Sequence, residues 1–364
     1  MPEPGKISII ISPRDTNPNT SGGPVPSESN SVTLAMDTIA SGWTAVMPWT
    51  PGAEPALDSL TDPFSYAESS VYIDGEQVSQ GRLYTMEPSR QADGRRQRTL
   101  TFYSYTADII DGVWNKPFQY NNQSFFDIAT IQGLSYDVPV TLDPNASTEA
   151  NKILPNVQAK LTDNMHDRLA KLAKEQGLLL RANRLGGLYI TKISPGGVSV
   201  GTIKESSDFF PGSTNSTEFN ASYDGRKLFA RYAAIKSNRN QFQQFAVVFN
   251  DENVPARRTE RFEANSQAKG TLQESALWAA SKGLADALTI PFPVQGWRNP
   301  SGSLWEPGTI VTVISETLSL NRVDMLVRSA KFKFDSQDGR RTELNLVPPE
   351  VYTGKRIPMD VFKR

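Results

Sequence analysis

Between residues 69 and 105, apolar and polar side chains alternate in short runs separated by turn dipeptides. The stretch 69-SSVYIDGEQVSQGRLYTMEP-88 places Asp74-Gly75 between two strand-forming runs, a strong short-range hairpin signal. The strand 82-RLYTME-87 then passes through Asp93-Gly94 into 98-RTLTFYSY-105. Much later, 324-DMLVRSAKFKFD-335 alternates with period two, feeds Asp338-Gly339 and leaves as 342-TELNL-346, where Pro348-Pro349 ends the element. The chain therefore spells one turn twice, as 91-QADGRRQRTLTF-102 and 337-QDGRRTELNL-346, each time between two strands. Further strands are expected at 6-KISIII-11, 31-SVTLAMDTI-39, 228-LFARYAAIKS-237 and 243-QQFAVVF-249. Residues 13–31, with hardly an apolar side chain, read as a long exposed loop, and 48–63 as a proline-punctuated connection. Short strands with turn chemistry between them predict small antiparallel barrels or sandwiches.

After Asp111 the period changes. In 123-QSFFDIATIQGLSYDV-138, Phe125, Ile128 and Ala129 fall at helical spacing; Gly133 is expected to end the helix, and LSYDV to form a strand. The stretch 167-DRLAKLAKEQGLLLRA-182 repeats this pattern 44 positions on, with Leu169, Leu172 and Ala173 in the same places before the same Gln-Gly-Leu. A glycine suits that position, since a helix commonly ends on a left-handed residue. A hairpin turning at Gly186-Gly187 follows. The best helix is 271-TLQESALWAASKGLADAL-288, with Leu272, Leu277, Trp278, Ala285 and Leu288 on one face. Residues 210–222 read as a polar linker and 251–270 as a charged, exposed stretch.

The expected architecture is mainly β (α+β): two related small antiparallel β-barrel domains with an α/β insertion region between and beside them. Residues 1–111 form the first barrel and 112–215 plus 250–303 the α/β domain with its duplicated helix-QGL-strand unit. Residues 216–249 plus 304–350 form the second barrel, and 351–364 a tail.

Composition narrows the chemistry. Thirty-eight Lys and Arg against 39 Asp and Glu give no electrostatic reason to expect a nucleic-acid partner. No apolar run is long enough to span a membrane, and the N-terminus lacks signal-peptide character. The absence of cysteine excludes disulfides and thiolate chemistry within these residues, and is consistent with assembly in a reducing cytoplasm. The single histidine, His166, rules out multi-histidine metal sites within one chain and reads as a solvent-facing residue early in a helix. No catalytic set, metal site or cofactor motif is identified.

The residues 71-VYIDGEQVSQGRLYTMEP-88, 98-RTLTFYSYTADIIDGVW-114, the helix-QGL region and 296-GWRNPSGSLWEPGTIVTV-313 occur in an order that resembles the baseplate hub proteins of contractile-tailed phages, of the phage Mu type. In plan they are also similar to the N-terminal part of type VI secretion spike proteins. The resemblance runs from about residue 65 to about residue 350. It departs at Tyr103-Ser104-Tyr105, where family members often carry Gly-Arg-Ser, and over the first 65 residues.

The resemblance implies a virion structural protein rather than an enzyme: a homotrimer assembled in the host cytoplasm, with no nucleic acid bound and no membrane insertion. Two barrels per subunit would alternate around a ring that joins a tail tube, or tube-initiator protein, above to a central spike below. Baseplate wedge components would dock outside. In such a ring Arg95, Arg96, Arg340 and Arg341 would sit in equivalent places, either touching a neighbouring subunit or partner or serving only solubility. Trp297 and Trp305 could anchor core or interface, or form a sugar-binding platform. Two other classes remain open: an extracellular or periplasmic carbohydrate-binding β-protein, and a carboxylate-dependent cell-wall hydrolase of the tail.

Overall fold

Alternating burial along the first strands turns one side of each toward a common core. In the computed structural model, described over residues 5–193, 197–205, 213–216, 221–238, 241–250, 257–263, 272–318, 320–335 and 339–352 with 252, 254 and 255, the chain divides into two compact units. Unit 1 comprises Met1–Ala173, Leu179–Thr191 and Lys331–Thr342; unit 2 comprises Lys174–Leu178, Lys192–Ala330 and Glu343–Arg364.

Unit 1 begins with β1 (Ile7–Ser12), which buries Ile7, Ile9 and Ile11. Next come α1 (Pro18–Ser21), β2 (Gly23–Pro24), β3 (Ser29–Ala35), β4 (Gly42–Pro48) and α2 (Pro55–Leu60). The meander β5 (Glu68–Ile73), β6 (Glu76–Arg90) and β7 (Arg96–Ser104) follows. These strands form an antiparallel sheet in the order β3-β4-β7-β6-β5-β1-β2. Asp74 and Gly75, both at positive φ (55° and 84°), make the expected tight turn between β5 and β6. The sheet curls into a half-barrel: the buried Asn30 on β3 donates through Nδ2 to the Ile7 carbonyl on β1 at 3.1 Å. Inside, the Trp43 and Phe102 rings stack at 5.9 Å, and Trp43 Nε1 donates to Ser69 Oγ at 3.2 Å, so the buried indole N–H is satisfied.

Residues 13–31 are exposed over much of their length, yet they are not one irregular loop. Asn17 caps α1 with Pro18 at its start, β2 pairs with β1, and Val25 is buried. Asn-Pro is a helix-start signal, hidden here by the polar composition around it.

The helical part of unit 1 runs α3 (Ala107–Asp111), β8 (Gln119–Ser124), α4 (Phe125–Leu134), β9 (Val140–Leu142), α5 (Ser147–Ala150), β10 (Ile153–Gln158), α6 (Met165–Glu175, its last two residues counting with unit 2), β11 (Leu179–Ala182) and β12 (Leu188–Thr191). Strand β8 pairs with β10, and β9, β12 and β11 form a second small sheet. The expected apolar positions on α4 and α6 are all buried. Gly177 ends α6 at φ 70°, as expected. Gly133 does not end α4. It lies inside the helix, where a Cβ would strike the Val138 carbonyl and the Val140 side chain, and the left-handed residue is Asp137. Residues 135–139 accordingly turn, and the strand starts only at Val140.

Unit 2 contains β13 (Ser199–Glu205), β14 (Ser213–Ser216), β15 (Ser222–Tyr223), β16 (Arg231–Asn238), β17 (Gln241–Asn250), β18 (Thr259–Glu263), α7 (Leu272–Ala287), β19 (Leu288–Gln295) and β20 (Ile310–Ser315). Strands β21 (Leu320–Asp335) and β22 (Gly339–Val347) are divided between the units: the end of β21 and the start of β22 count with unit 1. On α7 the buried face centres on Ala276, Leu284 and Ala285, while Leu277 and Trp278 are only partly covered. Ala276 packs against Tyr232 and Ala234 of β16, and small side chains let helix and sheet approach closely. Most of the expected linker 210–222, part of the charged stretch 251–270 and nearly all of the tail 351–364 lie outside the described residues. The fold is mainly β in both units.

Candidate interaction site at the Asp-Gly-Arg-Arg hairpins

Both repeated turns join a long strand to a shorter one. β6 and β7 have 15 and 9 residues, β21 and β22 have 16 and 9, and each pair follows a strand of 6, β5 or β20. In the first turn Gly94 N donates to the Gln91 carbonyl at 3.0 Å and Gln91 N to the Arg95 carbonyl at 2.8 Å. Gly94 takes φ 87°, the left-handed position of a three-residue hairpin loop. Asp93 accepts from Arg95 twice: from the backbone N at 3.0 Å and from Nε at 2.6 Å. Those bonds, the backbone one first, hold the Asp93 carboxyl below its usual range.

The same self-pairing occurs at 224-DGRK-227, a third copy of the short motif. There Arg226 bonds Asp224 through Nε at 2.8 Å, Nη2 at 2.9 Å and its backbone N at 3.0 Å, and the Asp224 carboxyl falls to about 2. In these two copies the first arginine is thus occupied by its own aspartate.

At the second hairpin, Gln337 and Asp338 lie outside the described residues. Gly339 takes φ 75°, and Arg340 and Arg341 are exposed. The Arg340 guanidinium lies over Gly5, where a Cβ would collide with it. The two strands leaving the turns are out of phase. On β7 the buried residues are Arg98, Leu100, Phe102 and Ser104; on β22 they include Thr342, Leu344 and Leu346. Because the side-chain period is two, that offset of one residue exchanges the faces. Arg96 shares the core-side face in the first hairpin, and Arg340 shares it in the second.

Arg96 borders a cleft of about 550 Å³ in unit 1, lined also by Glu28, Pro48, Trp49, Pro51 and Arg95. Trp49 is fixed from below. Its Nε1 donates to Asp58 Oδ1 at 2.7 Å, and the Arg98 guanidinium stacks over its ring at 4.0 Å. Arg98 is buried, bonds Thr61 Oγ1, and lies within 3.7 Å of Asp58 and 3.5 Å of Asp62. The Trp49 bond, followed by that of the Gly52 backbone N–H, pulls the Asp58 carboxyl down.

A second polar cluster looks more like chemistry than it is. Arg82 bonds Glu68 Oε1 at 3.1 Å and Asp108 Oδ2 at 2.8 Å, while Tyr105 donates to Glu68 at 2.6 Å and Tyr84 to Asp108 at 2.5 Å. Burial first, then the carboxylate partners, raise both phenols above their usual range. Each carboxylate is held by both a guanidinium and a phenol, so the cluster ties β5, β6 and α3 together rather than offering an acid and a base. His166 is partly exposed beside Asp167, and Trp297 and Trp305 are buried, the positions of core anchors rather than of a sugar platform. Among the described residues, no group of three or more acidic or histidine side chains could hold a metal ion.

Residues 268–355 match the family described as the fourth domain of the Mu phage baseplate assembly protein GpP. Over 357 residues the chain is 22% identical to the baseplate hub protein gp44 of Escherichia phage Mu, covering 89% of each. A tail protein from Neisseria meningitidis MC58 superposes with a TM-score of 0.77 at 17% identity, covering 97% of this chain and 99% of that one. A type VI secretion system component of E. coli, described as similar in structure to the phage T4 tail proteins gp27 and gp5, gives 0.57 at 10% identity, with 97% and 80% covered. The resemblance drawn from the sequence is thereby borne out. The proteins it matches are phage baseplate hub and tail components, and the chain shares their fold.

Proposed function

We propose that three copies of this chain form a ring at the hub of a contractile-tail baseplate, adapting a sixfold tail tube, or its initiator, to a threefold central spike. The observation that carries the reading is the similarity to the Mu hub protein along 89% of both chains. The fold supports it from within: one meander of strand lengths 6, 15 and 9 and another of 6, 16 and 9, each turning at Asp-Gly-Arg-Arg, are what two related barrels would retain. Two such surfaces per chain and three chains about a closed cyclic axis offer six near-equivalent contacts. The α/β segment would then lie outside the ring, open to wedge components, and assembly would take place in the host cytoplasm. Multi-angle light scattering on the purified chain tests the ring. A species near 120 kDa, three times the 40.2 kDa chain, is expected; a stable monomer at micromolar concentration would overturn the reading.

A further inference from the structure

The register of the first hairpin sets Arg90 on β6 directly opposite Arg96 on β7. The Arg96 carbonyl accepts from Trp49 N on the other side, at 3.0 Å. The Arg90–Arg96 pair is therefore one without mutual backbone bonds, the kind whose side chains approach most closely. Two like charges placed opposite each other destabilise a hairpin. Both residues are exposed, and neither makes an ion pair with the described residues.

The neighbourhood makes this arrangement informative. Two pairs further into the sheet Arg98 is met by Asp58, Asp62 and Thr61, and at the turn Arg95 is met by Asp93. The fold supplies acids to the arginines on either side of Arg96 and, among the described residues, supplies none to Arg96 or Arg90. Glu28, at the cleft, acts on Arg95. The cleft beside Arg96 adds an apolar wall of Pro48, Trp49 and Pro51.

We infer that Arg90, Arg96 and the Trp49 cleft together bind an acidic, extended segment of a partner protein. Its carboxylates would relieve the opposed guanidiniums through paired charge-assisted bonds, and its intervening side chains would lie on Trp49 and the prolines. A protein segment is the occupant because its side chains can alternate, carboxylates on the arginines and apolar groups on Pro48, Trp49 and Pro51; an oligonucleotide is the competing outcome of the test. The inference takes from the assembly reading only that the partner is a protein; it does not depend on ring symmetry.

The test uses the full chain and a fluorescent ten-residue peptide of alternating Glu and Thr, followed by anisotropy at low salt. Saturable binding is expected, weakened roughly tenfold or more by R90E/R96E and little changed by K152Q, which removes an exposed cation outside the cleft. Thermal melts of R90Q and R96Q should show midpoints equal to or above that of the parent, so these single variants carry the test if the double variant does not fold. Absence of saturable binding, equal binding by R90E/R96E or R96Q, or tighter binding of a ten-nucleotide oligo-dT would overturn the inference. Light scattering on the same samples separates it from the assembly reading. A trimer that ignores the peptide loses only the inference; a monomer that binds it loses only the ring.

Discussion

The hairpins β6–β7 and β21–β22 share strand lengths and a turn sequence, yet they use their arginines differently. In one, Arg95 folds back on Asp93 and Arg96 faces the core side; in the other, Arg340 takes the core-side face and lies over Gly5. Four identical residues recur at both turns, and in the first Asp93 and Arg95 satisfy one another locally. They do not fix which way the following strand faces, since burial further along the strand sets that phase. Equivalence between the two hairpins is therefore equivalence of backbone rather than of side chains.

The comparison can be broken most strongly at the core. Phe102→Ala in β7 is expected to cost about 3–5 kcal/mol and Leu344→Ala in β22 about 2–5 kcal/mol, both read from urea unfolding. Their strand neighbours Tyr103 and Asn345 should tolerate alanine far better, and a reversed order would refute the stated phase. The shared feature comes next. Gly94→Ala and Gly339→Ala each force a side chain into the left-handed region with open space around it, so each should cost about 1 kcal/mol and the two losses should match.

A smaller effect concerns the self-paired aspartates. NMR titration should place Asp224 near pH 2, and Arg226→Gln should return it toward the ordinary value of about 3.9. A depressed folded value contributes stability above the unfolded one. That contribution is lost as the pH falls from about 4 toward 2, so the Arg226→Gln variant should show a shallower acid dependence in that window. The smallest difference lies between the second arginines. Arg96→Gln should leave stability unchanged or slightly raised, and Arg341→Gln unchanged, each within about 0.5 kcal/mol in equilibrium unfolding. A clear loss at Arg96 would mean that it already has a partner within the chain.

Much of the local structure was legible in the sequence. Asp74-Gly75, the first Asp-Gly-Arg-Arg turn, the buried faces of α4 and α6 and the Gly186 hairpin follow from periodicity and turn chemistry. Gly133 misled because a glycine after an apolar run serves two purposes, ending a helix or letting a strand approach, and only the position of Val138 and Val140 distinguishes them. Strand β4, with its buried Trp43, passed unnoticed between two polar connections. The site was half legible. Arg96 was found through its repeat, while Arg90 was missed although a three-residue loop centred on Asp93 sets the two opposite each other.

By itself, the sequence determined a cysteine-free, nearly neutral, mainly β chain with one turn written twice, because these properties depend on residues a few positions apart. Tertiary structure decided what joins what: that β3 curls back toward β1, that Arg340 settles over Gly5, and that Arg98 receives its acids while Arg90 and Arg96 receive none among the described residues. Those outcomes depend on contacts between distant segments, whose geometry no local pattern encodes.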